Sequence, residues 1–181
     1  NNGIGIAGVS WGAKIMVVRA LDRYGSGWYS DVAAAVIYAA DNGARIINLS
    51  LGDSEPSALL CEAIHYAHSR RCLVVAAAGN SGGAVFCPAT CPQALAVAAS
   101  DSADRRASFS SYGPEVDLTA PGSDTYSTWP WRDGYMTLSG TSMAAAYVSG
   151  VASLVWSLWP ELEPDAVAEQ LMCTAVDIDA Q

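Results

Sequence analysis

A block of small residues, Gly140-Thr141-Ser142-Met143-Ala144-Ala145-Ala146-Tyr147-Val148-Ser149-Gly150, sets a serine where a loop turns into an apolar stretch. Residues 142–158 read as helix up to Pro160, and the Thr141/Ser142 pair is placed to cap the orphan N–H groups of the first turn. A hydroxyl there lies at the positive end of a helix, where the dipole and unpaired N–H groups favour negative charge developing on oxygen. That setting suits a serine nucleophile in acyl transfer. A capped core helix has the same local sequence, so the block alone does not separate the two.

Other short motifs fail on context. Gly3-Ile4-Gly5-Ile6-Ala7-Gly8 spells G-x-G-x-x-G, but a dinucleotide site follows a strand, and only Asn1-Asn2 precede this one. Gly8-Val9-Ser10-Trp11-Gly12 spells G-x-S-x-G yet leads into a strand, so it reads as a turn and not a nucleophile elbow. Gly79-Asn80-Ser81-Gly82-Gly83 is similar to the serine loop of chymotrypsin-like proteases, which are all-β, whereas this chain alternates. His65 and His68 stand one helical turn apart with no third ligand nearby and read as solvated or stem-packed side chains.

The elements that must position Ser142 follow from periodicity. Residues 14–19, 45–51, 73–77 and 95–99 are apolar runs of strand type, and 116–119 adds another. Helices are predicted over 30–42, stopped by Gly43, over 57–70, over 142–158 and over 164–173; 124–128 with 135–138 reads as a hairpin around the segment from Trp129 to Gly134. Strands this uniformly apolar are covered on both faces, which predicts a mostly parallel sheet between helices, a three-layer α/β/α arrangement.

Composition bounds the partners. The 181 residues are 51% hydrophobic and 15% charged, enough for one sizeable core without repeats or linkers. The net charge of −9 argues against nucleic acid and anionic membrane as partners, and the longest apolar runs are too short to span a bilayer. Cys61, Cys72, Cys87, Cys91 and Cys173 lack zinc-type spacing; Cys87 and Cys91, flanking Pro88-Ala89-Thr90, are candidates for a small disulfide in an oxidising compartment.

Ordered blocks across the whole chain resemble the subtilisin-like serine proteases, or subtilases. They are Asn1-Asn2-Gly3-Ile4-Gly5-Ile6-Ala7-Gly8-Val9, Gly25-Ser26-Gly27, Ile46-Ile47-Asn48-Leu49-Ser50-Leu51-Gly52, Val74-Val75-Ala76-Ala77-Ala78-Gly79-Asn80, Ala107-Ser108-Phe109-Ser110-Ser111-Tyr112-Gly113, Ala120-Pro121-Gly122 and Gly140-Thr141-Ser142-Met143-Ala144. The resemblance implies a secreted serine endopeptidase that acylates Ser142, with the Ser142 N–H and the Asn80 amide as the oxyanion hole. It implies a polypeptide substrate bound as an extended strand between Gly25-Ser26-Gly27 and Ser50-Leu51-Gly52. Ala77-Ala78-Gly79 would line the primary specificity pocket, made shallow by Phe86. It also implies structural calcium held by the Asn2 side chain and the carbonyls of Ile4 and Ile6.

The departures shape the functional expectation. In subtilases the triad runs Asp, His, Ser, and the block that resembles residues 1–5 follows the histidine. Residues 1–181 are therefore expected to be a partial peptidase domain, inactive alone, whose Asp and His belong to an upstream segment of the same domain. The alternative is a catalytically dead, subtilase-like module that binds peptides. Ala146 and Tyr147 stand where the family block usually continues with Pro and His, so a straighter helix is expected.

Overall fold

In the computed structural model, which describes residues 3–130 and 134–177, the sheet is built from β1 (Ile46–Leu49), β2 (Leu73–Ala77), β3 (Ala94–Ser100) and β4 (Leu118–Pro121). All neighbours are parallel in the order β1-β2-β3-β4, with Leu49 opposite Ala76 and Ala77 opposite Val97. Residues of β2 are buried throughout, as a strand covered on both faces must be. Helices α1 (Tyr29–Asp41) and α2 (Ala58–Ser69) pack on one face in a core with Val32, Val36, Leu60 and Ile64; α3 (Thr141–Leu158) and α4 (Pro164–Thr174) cover the other with Val148, Trp156 and Val167. The three-layer α/β/α expectation is borne out. Strands β5 (Thr125–Thr128) and β6 (Tyr135–Leu138) form the antiparallel hairpin; Trp131, Arg132 and Asp133 at its tip lie outside the described residues.

Alanine sets how closely α3 approaches. Ala144, Ala145 and Ala152 face the sheet with no exposed surface, and the opposing strands carry Ala77 and Ala99, so helix and sheet backbones come close. By length and composition α3 could cross a bilayer, contrary to the sequence reading; its packing against β1, β2, β3 and β4 makes it a core helix.

Two further expectations are corrected. Residues 14–19 are not a strand: none pairs in the sheet, and Ile15 and Val17 are 81% and 87% exposed. An apolar run becomes a strand only when a neighbour takes its backbone hydrogen bonds, and among the described residues β1 is the sheet edge with no strand on its outer side. Cys87 does not bond to Cys91; Cys91 is joined to Cys61 on α2, a separation of 30 residues with Cα atoms 5.0 Å apart. That longer closure removes more chain entropy than the short one, and only the tertiary fold brings α2 to this loop.

Candidate active site

Strands β1 and β2 end side by side, and the loops leaving them meet the start of α3. Ser142, half-buried, is the second residue of that helix; its Oγ donates to the Ser50 carbonyl at 3.1 Å, and Ser50 Oγ donates to the Ser142 carbonyl at 2.7 Å. Ser50 Oγ also accepts from Asn48 Nδ2 at 2.9 Å, and Asn48 Oδ1 accepts from Ser149 Oγ, two turns along α3, at 3.0 Å. The nucleophile candidate is thus laced to β1 through side chains from both elements. Its N–H belongs to the first turn, whose amides have no intrahelical acceptor.

The expected capping by Thr141 and Ser142 is corrected. Gly140 is the N-cap residue and offers no side chain; the acceptor is Asn80 Oδ1, which takes Thr141 N at 2.8 Å and Thr141 Oγ1 at 3.0 Å. Thr141 Oγ1, on a residue with no exposed surface, in turn accepts from Gly79 N at 3.1 Å. With Oδ1 engaged by two donors, the Asn80 side chain has a determined orientation, and its Nδ2 is turned the other way as a donor on an exposed residue.

Around this point the predicted groove residues fall into two groups. Ser50-Leu51-Gly52 and Ala77-Ala78-Gly79 come together with Phe86. A Cβ built on Gly79, whose φ is 112°, would lie 2.8 Å from Phe86 Cγ, and one on Gly52 would lie 2.9 Å from the Cys87 carbonyl. Glycine is required at both by close packing. Of Gly25-Ser26-Gly27, Ser26 and Gly27 line a cavity of about 890 Å³ bordered by Leu21, Trp28 and Tyr38. Asp22 organises that loop: its carboxylate accepts from Tyr24 N at 2.8 Å and Ser26 N at 3.0 Å, bonds that hold its pKa below the usual carboxylate value. Tyr29 ties the start of α1 to the segment after Gly52 by donating to the Glu55 carbonyl at 2.9 Å.

The histidines are remote from this chemistry. Both sit in the last turns of α2, which precedes the N-terminal end of β2, whereas Ser142 lies beyond the C-terminal end of β1; His68 Nε2 bonds Asp165 at 2.8 Å. For calcium, Asn2 lies outside the described residues, and Ile4 and Ile6 are exposed residues in a turn segment. Two carbonyls fall far short of the six to eight oxygens calcium takes, and no cluster of three or more His, Cys, Asp or Glu occurs among the described residues. These residues alone do not fit the ion.

Asn48 and Ser149 were missed. Their signal was available: Asn48 is the polar residue inside the apolar run Ile46-Ile47-Asn48-Leu49, where a buried-type strand otherwise has none.

The parallel α/β/α sheet thus carries a serine at a helix N-terminus, next to a threonine held by an asparagine amide. The sequence matches the profile of the Subtilase family, peptidase S8, over residues 1–181, and the chain belongs to that family. It is 51% identical over 158 residues to the Thermophilic serine proteinase of Bacillus sp. (strain AK1), covering 87% of this chain and 39% of that protein. It is 49% identical to Thermitase of Thermoactinomyces vulgaris, covering 87% and 56%, and 43% identical to Subtilisin Savinase of Lederbergia lenta, covering 98% and 66%. A solved protease structure from Pseudoalteromonas arctica superposes with TM-score 0.92 at 35% identity, covering 98% of this chain and 60% of that one. The chain thus spans 39–66% of the length of these curated relatives.

Proposed function

We propose that this chain carries the nucleophile and oxyanion portion of a serine endopeptidase, with Ser142 attacking the peptide carbonyl and the Ser142 N–H and Asn80 Nδ2 receiving the developing oxyanion. The observation that carries this reading is the anchoring of Asn80 through Oδ1 to Thr141, which leaves its amide donor beside the residue preceding the nucleophile. A neutral donor held in place before reaction stabilises the tetrahedral intermediate without reorganisation. In the acylation step Ser142 Oγ bonds to the carbonyl carbon, its proton passes to a base and then to the departing amine; water later reverses the sequence to free the acid.

Among the described residues Ser142 Oγ meets no base: it donates to a backbone carbonyl, which takes no proton at neutral pH. We assign the base and its orienting carboxylate to an upstream segment of the same domain. The edge of β1 and the exposed apolar residues Ile15 and Val17 beside Val18, which packs on the core, offer a surface for it. Substrate would lie as an extended strand along Ser50-Leu51-Gly52 and Gly25-Ser26-Gly27. Calcium at Asn2, Ile4 and Ile6 would need ligands from beyond those residues. Secretion fits the Cys61–Cys91 bond, which persists in oxidising compartments.

The competing reading, a peptide-binding module without chemistry, is favoured by that same Ser142 contact. A fluorophosphonate probe distinguishes them. Ser142 is expected to be labelled when the chain is joined to a subtilase segment bearing the Asp and His, and not in the isolated chain. Absence of labelling in the joined form, with peptide binding retained, would establish the module instead.

Phe86 gives a specificity test. Its ring lies against Gly79, so the primary pocket is expected to accept small side chains. In the joined, active form Phe86→Ala should move kcat/KM toward large aromatic residues at that position by on the order of tenfold or more. An unchanged peptide-library profile would remove Phe86 from the pocket.

A further inference from the structure

The cysteines supply a chemistry that peptide hydrolysis does not use. Cys61 and Cys91 are bonded, and the free thiol of Cys87 lies with its Sγ 3.9 Å from the Cys91 sulfur, at the contact distance of two sulfur atoms. The fold holds that approach. Cys87 is fixed by paired backbone bonds with Asp53, each 2.9 Å, and the turn that follows is closed by Thr90 N to the Phe86 carbonyl at 3.2 Å and Cys91 N to the Pro88 carbonyl at 3.0 Å. Cys87 and Cys91 are 2% and 3% exposed, whereas Cys61 on α2 is only partly buried.

We propose that Cys61, Cys87 and Cys91 form a thiol–disulfide exchange unit that transfers reactivity from the buried Cys87 to the surface-reaching Cys61, making Cys61 a site of mixed-disulfide formation with small disulfides. The Cys87 thiolate attacks Cys91 Sγ; the Cys87–Cys91 bond forms as the Cys61–Cys91 bond breaks. Cys61 leaves as a thiolate, the proton that Cys87 lost stays in solvent, and no oxidant or reductant is consumed. The freed Cys61 thiolate then attacks a low-molecular-weight disulfide, forming a mixed disulfide at Cys61 and releasing one equivalent of the small thiol, which takes the proton.

Protonation sets the rate. Burial pushes the Cys87 thiol up; the Ser57 backbone works against this and the negative charge of Asp53 adds to it, and Tyr29, itself raised by burial, also senses Cys87. Few molecules hold the thiolate at neutral pH, and the population grows as pH rises toward the raised value. The unit is therefore slow at neutral pH and faster by roughly tenfold per pH unit until the raised value is reached.

The test uses the joined form carrying the upstream segment. After incubation at pH 7 and pH 9 with oxidised glutathione, acid quench and alkylation, mass spectrometry reads Cys61 on its own tryptic peptide, between Arg45 and Arg70. The expected result is glutathionylated Cys61 together with an internal Cys87–Cys91 link, formed at least about tenfold faster at pH 9 than at pH 7 and absent in Cys87→Ser. Because that variant could misfold, Cys61→Ser provides a second arm: air oxidation should join Cys87 to Cys91. The proposal is overturned if Cys61 stays bonded to Cys91 at both pH values, if Cys61→Ser leaves both thiols free, or if Cys72 and Cys173 enter disulfides as readily as Cys87.

Discussion

Thr141→Val is expected to cost about 1–3 kcal/mol of folding stability and, in a joined form carrying the Asp and His, to lower kcat about tenfold with KM little changed. The shapes of the two side chains match, so the change isolates the hydroxyl, which makes Val for Thr far from neutral in a core. Thr141 has no exposed surface, and its Oγ1 accepts from Gly79 N while donating to Asn80 Oδ1. Valine leaves the buried Gly79 N–H without that acceptor and takes one of two anchors from the asparagine. Stability falls through the first loss, and catalysis falls through the second, because a less constrained amide must be reoriented as charge develops. Urea denaturation of the joined form tests the first effect; its steady-state kinetics tests the second. A variant as stable as the parent would show that water replaces the hydroxyl, and the strut would have no energetic role.

The strut also marks where sequence reading ends. Residues 73–77 were legible to the residue as β2 because a continuous apolar run covered on both faces has a signature of its own. Ser57 was legible as the start of α2, and its side chain accepts from Leu60 N at 3.3 Å as a local cap does. Residues 14–19 have the same composition as a strand, yet composition cannot supply the neighbour whose backbone a strand requires. Cys91 found its partner on α2 rather than four residues away for the same reason: sequence spacing reports local geometry, and disulfides follow tertiary geometry. At the site, the types of Ser142 and Asn80 were visible, whereas the division of labour within the amide, Oδ1 bound inward and Nδ2 turned outward, emerges only when β2 and α3 meet.

That division makes Asn80→Asp the most discriminating substitution for the proposed chemistry. Aspartate has nearly the same shape, and its carboxylate accepts as Oδ1 does, so the bonds from Thr141 N and Thr141 Oγ1 are retained and stability should change little. What disappears is the donor: an ionised carboxylate has no N–H, and its charge opposes the oxyanion forming beside it. In the joined form kcat is expected to drop on the order of 10²–10³-fold or more, the scale on which removal of one oxyanion-hole donor acts, subtilisin's asparagine being its worked case. KM should move little, because the ground-state carbonyl makes less demand on the donor than the tetrahedral oxyanion. Asn80→Ala gives the control: it loses donor and acceptor together without adding a charge, so it should lose no more kcat than the aspartate while destabilising the start of α3, as removal of a capping acceptor does by about 1 kcal/mol. Aspartate that retained kcat within threefold would locate the oxyanion elsewhere. Alanine that was as stable as aspartate would mean that the Thr141 amide finds water when Asn80 is gone.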